Sequence, residues 1–324
     1  MPTQDTIGKW YMSDNAIFAD AFNFLLYDGE PVIKPEKLRE ADTTGIALPY
    51  GNNARLTVQK YRDLKKIWAA KEDGEVVYIL LGDELQSKVH YAMPVKDMLY
   101  DAIDYTEQVE NARRSYQKKN DTGEFSFENG TLQMKLTSEE FLSGFRKTDR
   151  LMPVITATIY FGADDWDGPL SLHDMMNVPD KRLLRAIPNY WINLIAPARI
   201  DDADFEKFNT DLGIALKVLK YQDKRTMRQV IRDLSGRKIG RATAEFLNVQ
   251  AKLGLVFEEP IEEGEVDMSK GMEMIISSER AEATENNLLQ NIKMMMKNAH
   301  FTLEQAFATL EVPSADQSRL ARML

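Results

Sequence analysis

The chain predicts an α/β fold with a helical C-terminal region, and three observations carry that expectation. Two apolar, β-branched runs, Val76–Leu80 and Leu151–Gly162, have the length and composition of buried strands. Between them lies a long amphipathic stretch that begins at Pro94, a residue suited to the first turn of a helix. Beyond Asp201 the pattern becomes helical in character, so strands and helices alternate only in the first half of the chain.

Each element follows from local signals. Ser13–Tyr27 opens on a candidate N-cap and spaces Ile17, Phe18, Ala21, Phe22 and Leu25 at helical intervals. A passage punctuated by Pro and Gly runs on to Gly51. Asp73-Gly74 then stands in the middle of RLTVQKYRDLKKIWAAKEDGEVVYILLGDELQS, a strong mark of a two-residue hairpin turn. Pro94–Lys119 is the long helix, and NDTGEFSFENG after it is a surface loop or a small hairpin. Thr137 with Glu140 has the spacing of a capping box ahead of a short helix. In the tail, Thr302 with Gln305 and Ser314 with Gln317 open two short helices around EVPS, a spacing that suits either a helix-turn-helix or a plain helical hairpin.

Composition excludes several classes of function. The 324 residues are 44% apolar and 28% charged, ordinary for a globular chain. No run approaches the ~20 apolar residues of a membrane helix. MPTQDTIGKW has no basic segment followed by an apolar block, so cytoplasmic residence and no membrane partner are expected. With no cysteine and three dispersed histidines (His90, His173, His300), thiolate chemistry and Cys- or His-based zinc sites are disfavoured. No P-loop, dinucleotide fingerprint, HExxH or GxSxG motif is present.

The net charge of −10 opposes a nucleic-acid partner only as an average. Residues 258–287 carry ten acids against Lys270 and Arg280, whereas Leu216–Arg241 carries nine Lys/Arg against two Asp. That basic stretch is either a phosphate-binding surface or a solvated helix face. The expected organisation is a catalytic-type domain at 1–210, a basic helical extension at 211–257, an acidic linker at 258–284 and a helical tail at 285–324.

The hairpin places two acids together. With Asp73 and Gly74 as the loop, opposed positions sum to 147, so Asp63 faces Glu84. Opposed residues project to one face, and Gln86, two positions on, shares it, as does Lys88 if the strand runs that far. Two adjacent carboxylates repel unless a cation lies between them. Either they sit at a wet, frayed hairpin end, or they hold a hard divalent cation, Mg²⁺ or Mn²⁺.

An acid, a hairpin turn and then acid-x-Lys/Gln on the next strand, followed by a helix, resembles the PD-(D/E)xK nuclease superfamily. The phrases ADTTGIALPYG, YRDLKK, DGEVVYILLGDELQSKVHYAMPVKDMLYDAIDY, LTSEEFLSGFRKTDRLMPVITATIYFG, WDGPLSLHDMM and YWINLIAPARI resemble its recombination-promoting nuclease / putative transposase branch. The likeness extends from about Phe18 to Tyr221 and implies a restriction-endonuclease-like αβββαβ core with a mixed sheet.

It also implies a Mg²⁺-dependent DNA endonuclease in which Asp63, Glu84 and the carbonyl of Leu85 hold the metal (Mg²⁺ or Mn²⁺). Gln86 occupies the usual lysine place, and Lys88 is a candidate source of the missing charge. The chain departs from the pattern in having Arg62 rather than Pro before Asp63, and Asp83 before Glu84, which alternation turns to the opposite face. Asp20 is the candidate for the N-terminal helix acid found in many relatives, or else a plain surface residue. His90 is either a base near the site or locally packed; Asp164, Asp165 and Asp167 form a strand-ending turn. Gln86 and the acidic balance motivate the alternative, a catalytically silent DNA- or protein-binding module on the same fold. A homo-oligomer is left open.

Overall fold

The expected hairpin forms, and a mixed sheet is built outward from its second strand. The computed structural model describes residues 3–47, 58–72, 75–121, 137–222, 227–253, 265–298 and 300–323. These divide into two compact units, one of Met1–Met227 with Glu245–Ala251, the other of Arg228–Ala244 with Lys252–Leu324.

The first unit begins with α1 (Gln4–Ser13) and α2 (Asn15–Tyr27). Asp14, rather than Ser13, caps α2: its Oδ1 accepts from the amides of Ala16 (2.7 Å) and Ile17 (3.2 Å). Next come β1 (Leu38–Glu40), β2 (Thr44–Ala47), β3 (Val58–Tyr61), β4 (Leu64–Glu72) and β5 (Glu75–Gln86). The long helix α3 (Met93–Asp121), the short α4 (Ser138–Ser143), β6 (Val154–Tyr160), β7 (Asn193–Ile195) and α5 (Leu212–Tyr221) complete it. The Thr137–Glu140 capping box forms at α4 as its spacing predicts. Most of NDTGEFSFENG lies outside the described residues.

Five strands pair in the order β1-β4-β5-β6-β7, while β2 and β3 form a separate ribbon. The β4–β5 ladder runs antiparallel from Glu72↔Glu75 to Leu64↔Asp83, so opposed numbers sum to 147 along its length. The turn itself, Asp73-Gly74, lies outside the described residues. β6 runs parallel to β5, a pairing that requires a long crossover, and α3 provides it. This mixed sheet with helices is the α/β class that the sequence predicts.

Alternation gives the sheet two different faces. Leu64, Trp68, Leu81 and Ala157 pack with Phe18 and Phe22 of α2 in an apolar layer. Lys65, Gly82, Glu84, Thr156 and Thr158 take the opposite face, toward α3. The first unit extends past the expected boundary at residue 210. Phe246 stacks on Tyr11 (4.4 Å) and meets Phe161 edge-on (5.1 Å), which secures Glu245–Ala251 there.

The second unit contains α6 (Met227–Asp233) from Arg228 onward, β8 (Lys238–Gly240) and the first turn of α7 (Arg241–Gln250). It continues with β9 (Glu265–Asp267), α8 (Met268–Asn298), α9 (Leu303–Thr309) and α10 (Ser314–Ala321). The stretch expected as an acidic linker is therefore helical from Met268 onward. Leu289, Ile292, Phe307, Val312 and Leu320 form its core. Thr302 and Gln305 make their capping box. At α10 the N-cap is Pro313 rather than Ser314, and Gln317 donates to the carbonyl of Val312 (2.9 Å). Arg319 pairs with Glu285 and Asp316, and Arg322 bonds the carbonyl of Ser318. Among the described residues no helix is long and apolar enough to cross a membrane.

Asp20 is not a surface residue. It is buried in α2, where it accepts from the amides of Asn209 (2.9 Å) and Thr210 (2.9 Å) and from the Thr210 hydroxyl (2.6 Å). Asp20→Ala leaves three donors without this acceptor and should cost about 2–3 kcal/mol, measured as a lower midpoint of urea unfolding.

Candidate metal-binding cleft

β5 ends in buried carboxylates, so the reading of a frayed, wet hairpin end is overturned. Asp83 and Glu84 are 0% and 1% exposed. They point to opposite faces, as alternation requires, because Asp83 pairs with Leu64 and neighbours Ala157 while Glu84 neighbours Thr158.

What meets Glu84 is a polar seam between the sheet and α3. Asp97, Asp101 and Asp104 recur at helical spacing and so share one face of α3. Asp97 accepts from Thr158 (2.7 Å), and Asp101 accepts from Thr156 (2.5 Å), Arg62 (2.7 Å) and Tyr190 (2.7 Å). Asp104 pairs with Arg62 and Lys65, both at 3.1 Å. Arg62 is the hub. It stands just before β4 and crosses Gly82, where any Cβ would collide with its guanidinium. The sequence treated Arg62 only as a departure from Pro, whereas here it ties β5, β6 and α3 together.

At one end of this seam opens a cleft of about 590 Å³, lined among others by Lys9, Asp63, Leu85, Gln86, Lys88 and Lys96. Asp63 lies one residue outside the ladder, yet its Oδ2 accepts from the Leu85 amide (2.9 Å), which sets it beside Glu84. Its Oδ1 pairs with Lys9 of α1 (2.7 Å), and Oε2 of Glu84 pairs with Lys96 of α3 (2.8 Å). Gln86 donates to the carbonyl of Leu85 (2.9 Å). Lys88 is exposed beyond the end of β5 but still lines the cleft, as does exposed His90, which is not locally packed. Asp63, Leu85, Gln86, Lys88 and His90 therefore line one cleft, while Glu84 is buried behind it, paired with Lys96 of its lining, and Asp20 is not among the lining residues. The sequence missed Lys9 and Lys96 as their partners; Lys96, adjacent to Asp97 at the start of α3, carried a readable signal, while α1 was not foreseen.

Electrostatics record the crowding. Burial pushes the Glu84 carboxyl up to about 7, against the pull of the Lys96 ammonium. Burial likewise raises Asp97 to about 6, although the Thr158 hydroxyl opposes it. Asp83 is pushed well above the usual carboxylate range by burial and then by Glu84. Burial works against the charge of Arg62, but Asp104 and Asp101 outweigh it and raise its pKa. Oε1 of Glu84 is buried with no hydrogen-bond partner.

These donors suit a hard divalent cation. Two carboxylates and a peptide carbonyl are oxygen ligands of the kind Mg²⁺ and Mn²⁺ take, with water completing the shell. The unpartnered Oε1 is a lone-pair donor in want of a positive partner. Among the described residues no group of three His, Cys, Asp or Glu converges as a metal cage, so a site here depends on the Leu85 carbonyl.

Residues 134–241 match a family model described as "Putative transposase, YhgA-like". That is one third of the chain. The matched stretch holds β6, β7 and α5, with Thr156, Thr158 and Tyr190 of the seam, but not Asp63 or Glu84. No curated protein and no solved structure matches the chain.

Two outcomes follow from the seam. Gly82→Ala should displace Arg62 from Thr156 and Asp101 and cost about 2–4 kcal/mol, read from chemical denaturation. In metal-free buffer, stability should fall as pH rises from about 5 to 8. Folded Glu84 and Asp97 hold protons at pH values where the unfolded chain has lost them, so raising the pH ionises groups that the fold keeps out of water. For Glu84 the effect is on the order of 3 kcal/mol, and Glu84→Gln should flatten the profile of melting temperature against pH.

Proposed function

We propose that the chain is a divalent-cation-dependent DNA endonuclease that hydrolyses phosphodiester bonds with Mg²⁺ (or Mn²⁺) bound by Asp63, Glu84 and the Leu85 carbonyl. One observation carries this reading: a buried, unpartnered carboxylate oxygen of Glu84 lies next to Leu85, whose amide holds Asp63, behind a cleft lined by Asp63, Leu85 and three lysines. The match to a transposase family model and the resemblance of the hairpin to nuclease hairpins support DNA as the substrate.

When bound, such a cation supplies Lewis-acid polarisation of the phosphate and a more acidic water. The remaining work falls to the chain. Asp63 and Glu84 fix the position of the cation, and Gln86 steadies the Leu85 carbonyl through its amide. Lys9, Lys88 and Lys96 offset the charge of the DNA backbone, which two acids alone would repel. In hydrolysis the water oxygen bonds to phosphorus and the opposite P–O ester bond breaks. One water proton passes to solvent, and the departing alkoxide takes one up.

A second reading has its own observation. Gln86 is turned onto the Leu85 carbonyl, and both carboxylates already have lysine partners. A scaffold balanced in this way suits a silent DNA- or protein-binding module.

Nicking of supercoiled plasmid in Mg²⁺ or Mn²⁺ separates the two. Asp63→Asn and Glu84→Gln should each lower the rate at least about 10²-fold, with melting temperatures that remain well defined. Equal cleavage by wild type and both variants would reject these roles. Salt-sensitive DNA binding without turnover in either ion would favour the silent module.

A further inference from the structure

Gln86 can donate a hydrogen bond but carries no charge, and its amide is engaged with the Leu85 carbonyl. If the cleft handles phosphodiesters, its localised positive charge comes from another residue. Arg62, Lys65, Lys9 and Lys88 are further cations among the described residues, and each is differently placed. Arg62 and Lys65 are buried and bound to Asp101 and Asp104, and neither lines the cleft. Lys9 is half exposed on α1 and pairs with Asp63. Lys88 is exposed past the end of β5.

Lys96 differs from all of these. Its ammonium lines the cleft, touches Oε2 of Glu84 at 2.8 Å and lies 5.9 Å from the ring centre of Tyr100, one helical turn along α3. Its side chain is only 27% exposed, so it is held rather than waving in solvent. The backbone beneath it is fixed as well, because the next residue, Asp97, bonds Thr158, while Asp101 and Asp104 bind Arg62 on the same face. A cation held by a rigid helix beside a buried carboxylate is preorganised for charge that develops near that carboxylate.

Building on the nuclease reading, we propose that Lys96 is the positioning cation of the cleft. It holds Oε2 of Glu84 so that Oε1 is the oxygen left for the divalent cation. Its ammonium is the fixed positive charge beside the reacting phosphate, in place of a lysine at position 86.

The test compares wild type with Lys96→Met, Lys96→Arg and Asp63→Asn in two assays. One measures Mn²⁺ binding to the DNA-free protein by calorimetry; the other measures plasmid cleavage as kcat and KM separately. Lys96→Met should still bind Mn²⁺, within about fivefold of wild type or more tightly, because the ammonium that competes for Glu84 is gone. Its kcat should fall about 10²-fold or more with KM changed less, and Lys96→Arg should recover at least tenfold of that loss. Active wild type with Lys96→Met within threefold in kcat overturns the role of Lys96 alone. Loss of Mn²⁺ binding in Lys96→Met, with no recovery in Lys96→Arg, also overturns it in favour of a purely structural part. Wild type that fails to cleave and binds Mn²⁺ no better than Asp63→Asn overturns both this inference and the nuclease reading.

Discussion

The candidate cleft depends on one constraint, the ionic seam that locks α3 to the inner face of the sheet. Arg62 lies at its centre, bound at once to Thr156 of β6 and to Asp101 and Asp104 of α3. Buried charge of this kind adds little net stability, because desolvation consumes most of the attraction. Its value is geometric. A helix packed by apolar contacts alone can slide or rotate by a fraction of a turn, whereas the bonds at Asp97, Asp101 and Asp104 set both the register and the rotation of α3. Lys96 is placed by that register, and so is the charge over Glu84.

Charge counting along the seam explains its odd protonation. Glu84, Asp97, Asp101 and Asp104 face Arg62, Lys65 and Lys96, a surplus of one carboxylate in a largely buried region. The mismatch appears at the two acids least well partnered, Glu84 and Asp97, whose carboxyls are raised to about 7 and about 6. Asp101, by contrast, has three donors. The surplus thus falls beside the cleft.

How much of this was legible follows from what each signal measures. The hairpin register was readable because the Asp73-Gly74 spacing fixes a sum, and the sum fixes which residues oppose, without reference to any distant segment. The same arithmetic put Asp83 and Glu84 on opposite faces. The seam was not read, although its pieces were visible: Asp97, Asp101 and Asp104 keep helical spacing, and Thr156 and Thr158 alternate within a strand taken as wholly apolar. Pairing them needs the crossover that brings α3 back over β5 and β6, a tertiary fact that no local window contains. The same limit applied to Asp20, whose amide and hydroxyl donors lie nearly two hundred residues away, and to Lys9, whose helix carried no signal strong enough to be noticed.

Gln86 then ceases to be a defect in the pattern. A lysine there would place a fourth cation beside Lys9, Lys88 and Lys96 at the cleft, close to a carbonyl that now accepts the amide of Gln86. Glutamine keeps the hydrogen bond to the Leu85 carbonyl and forgoes the charge, while the first turn of α3 brings the Lys96 ammonium to Oε2 of Glu84. On the nuclease reading, a phosphate in the cleft sees the positive charge it needs, delivered from a helix whose position the seam enforces rather than from the end of a strand. On that reading, the lysine absent from position 86 is a difference in where the charge comes from.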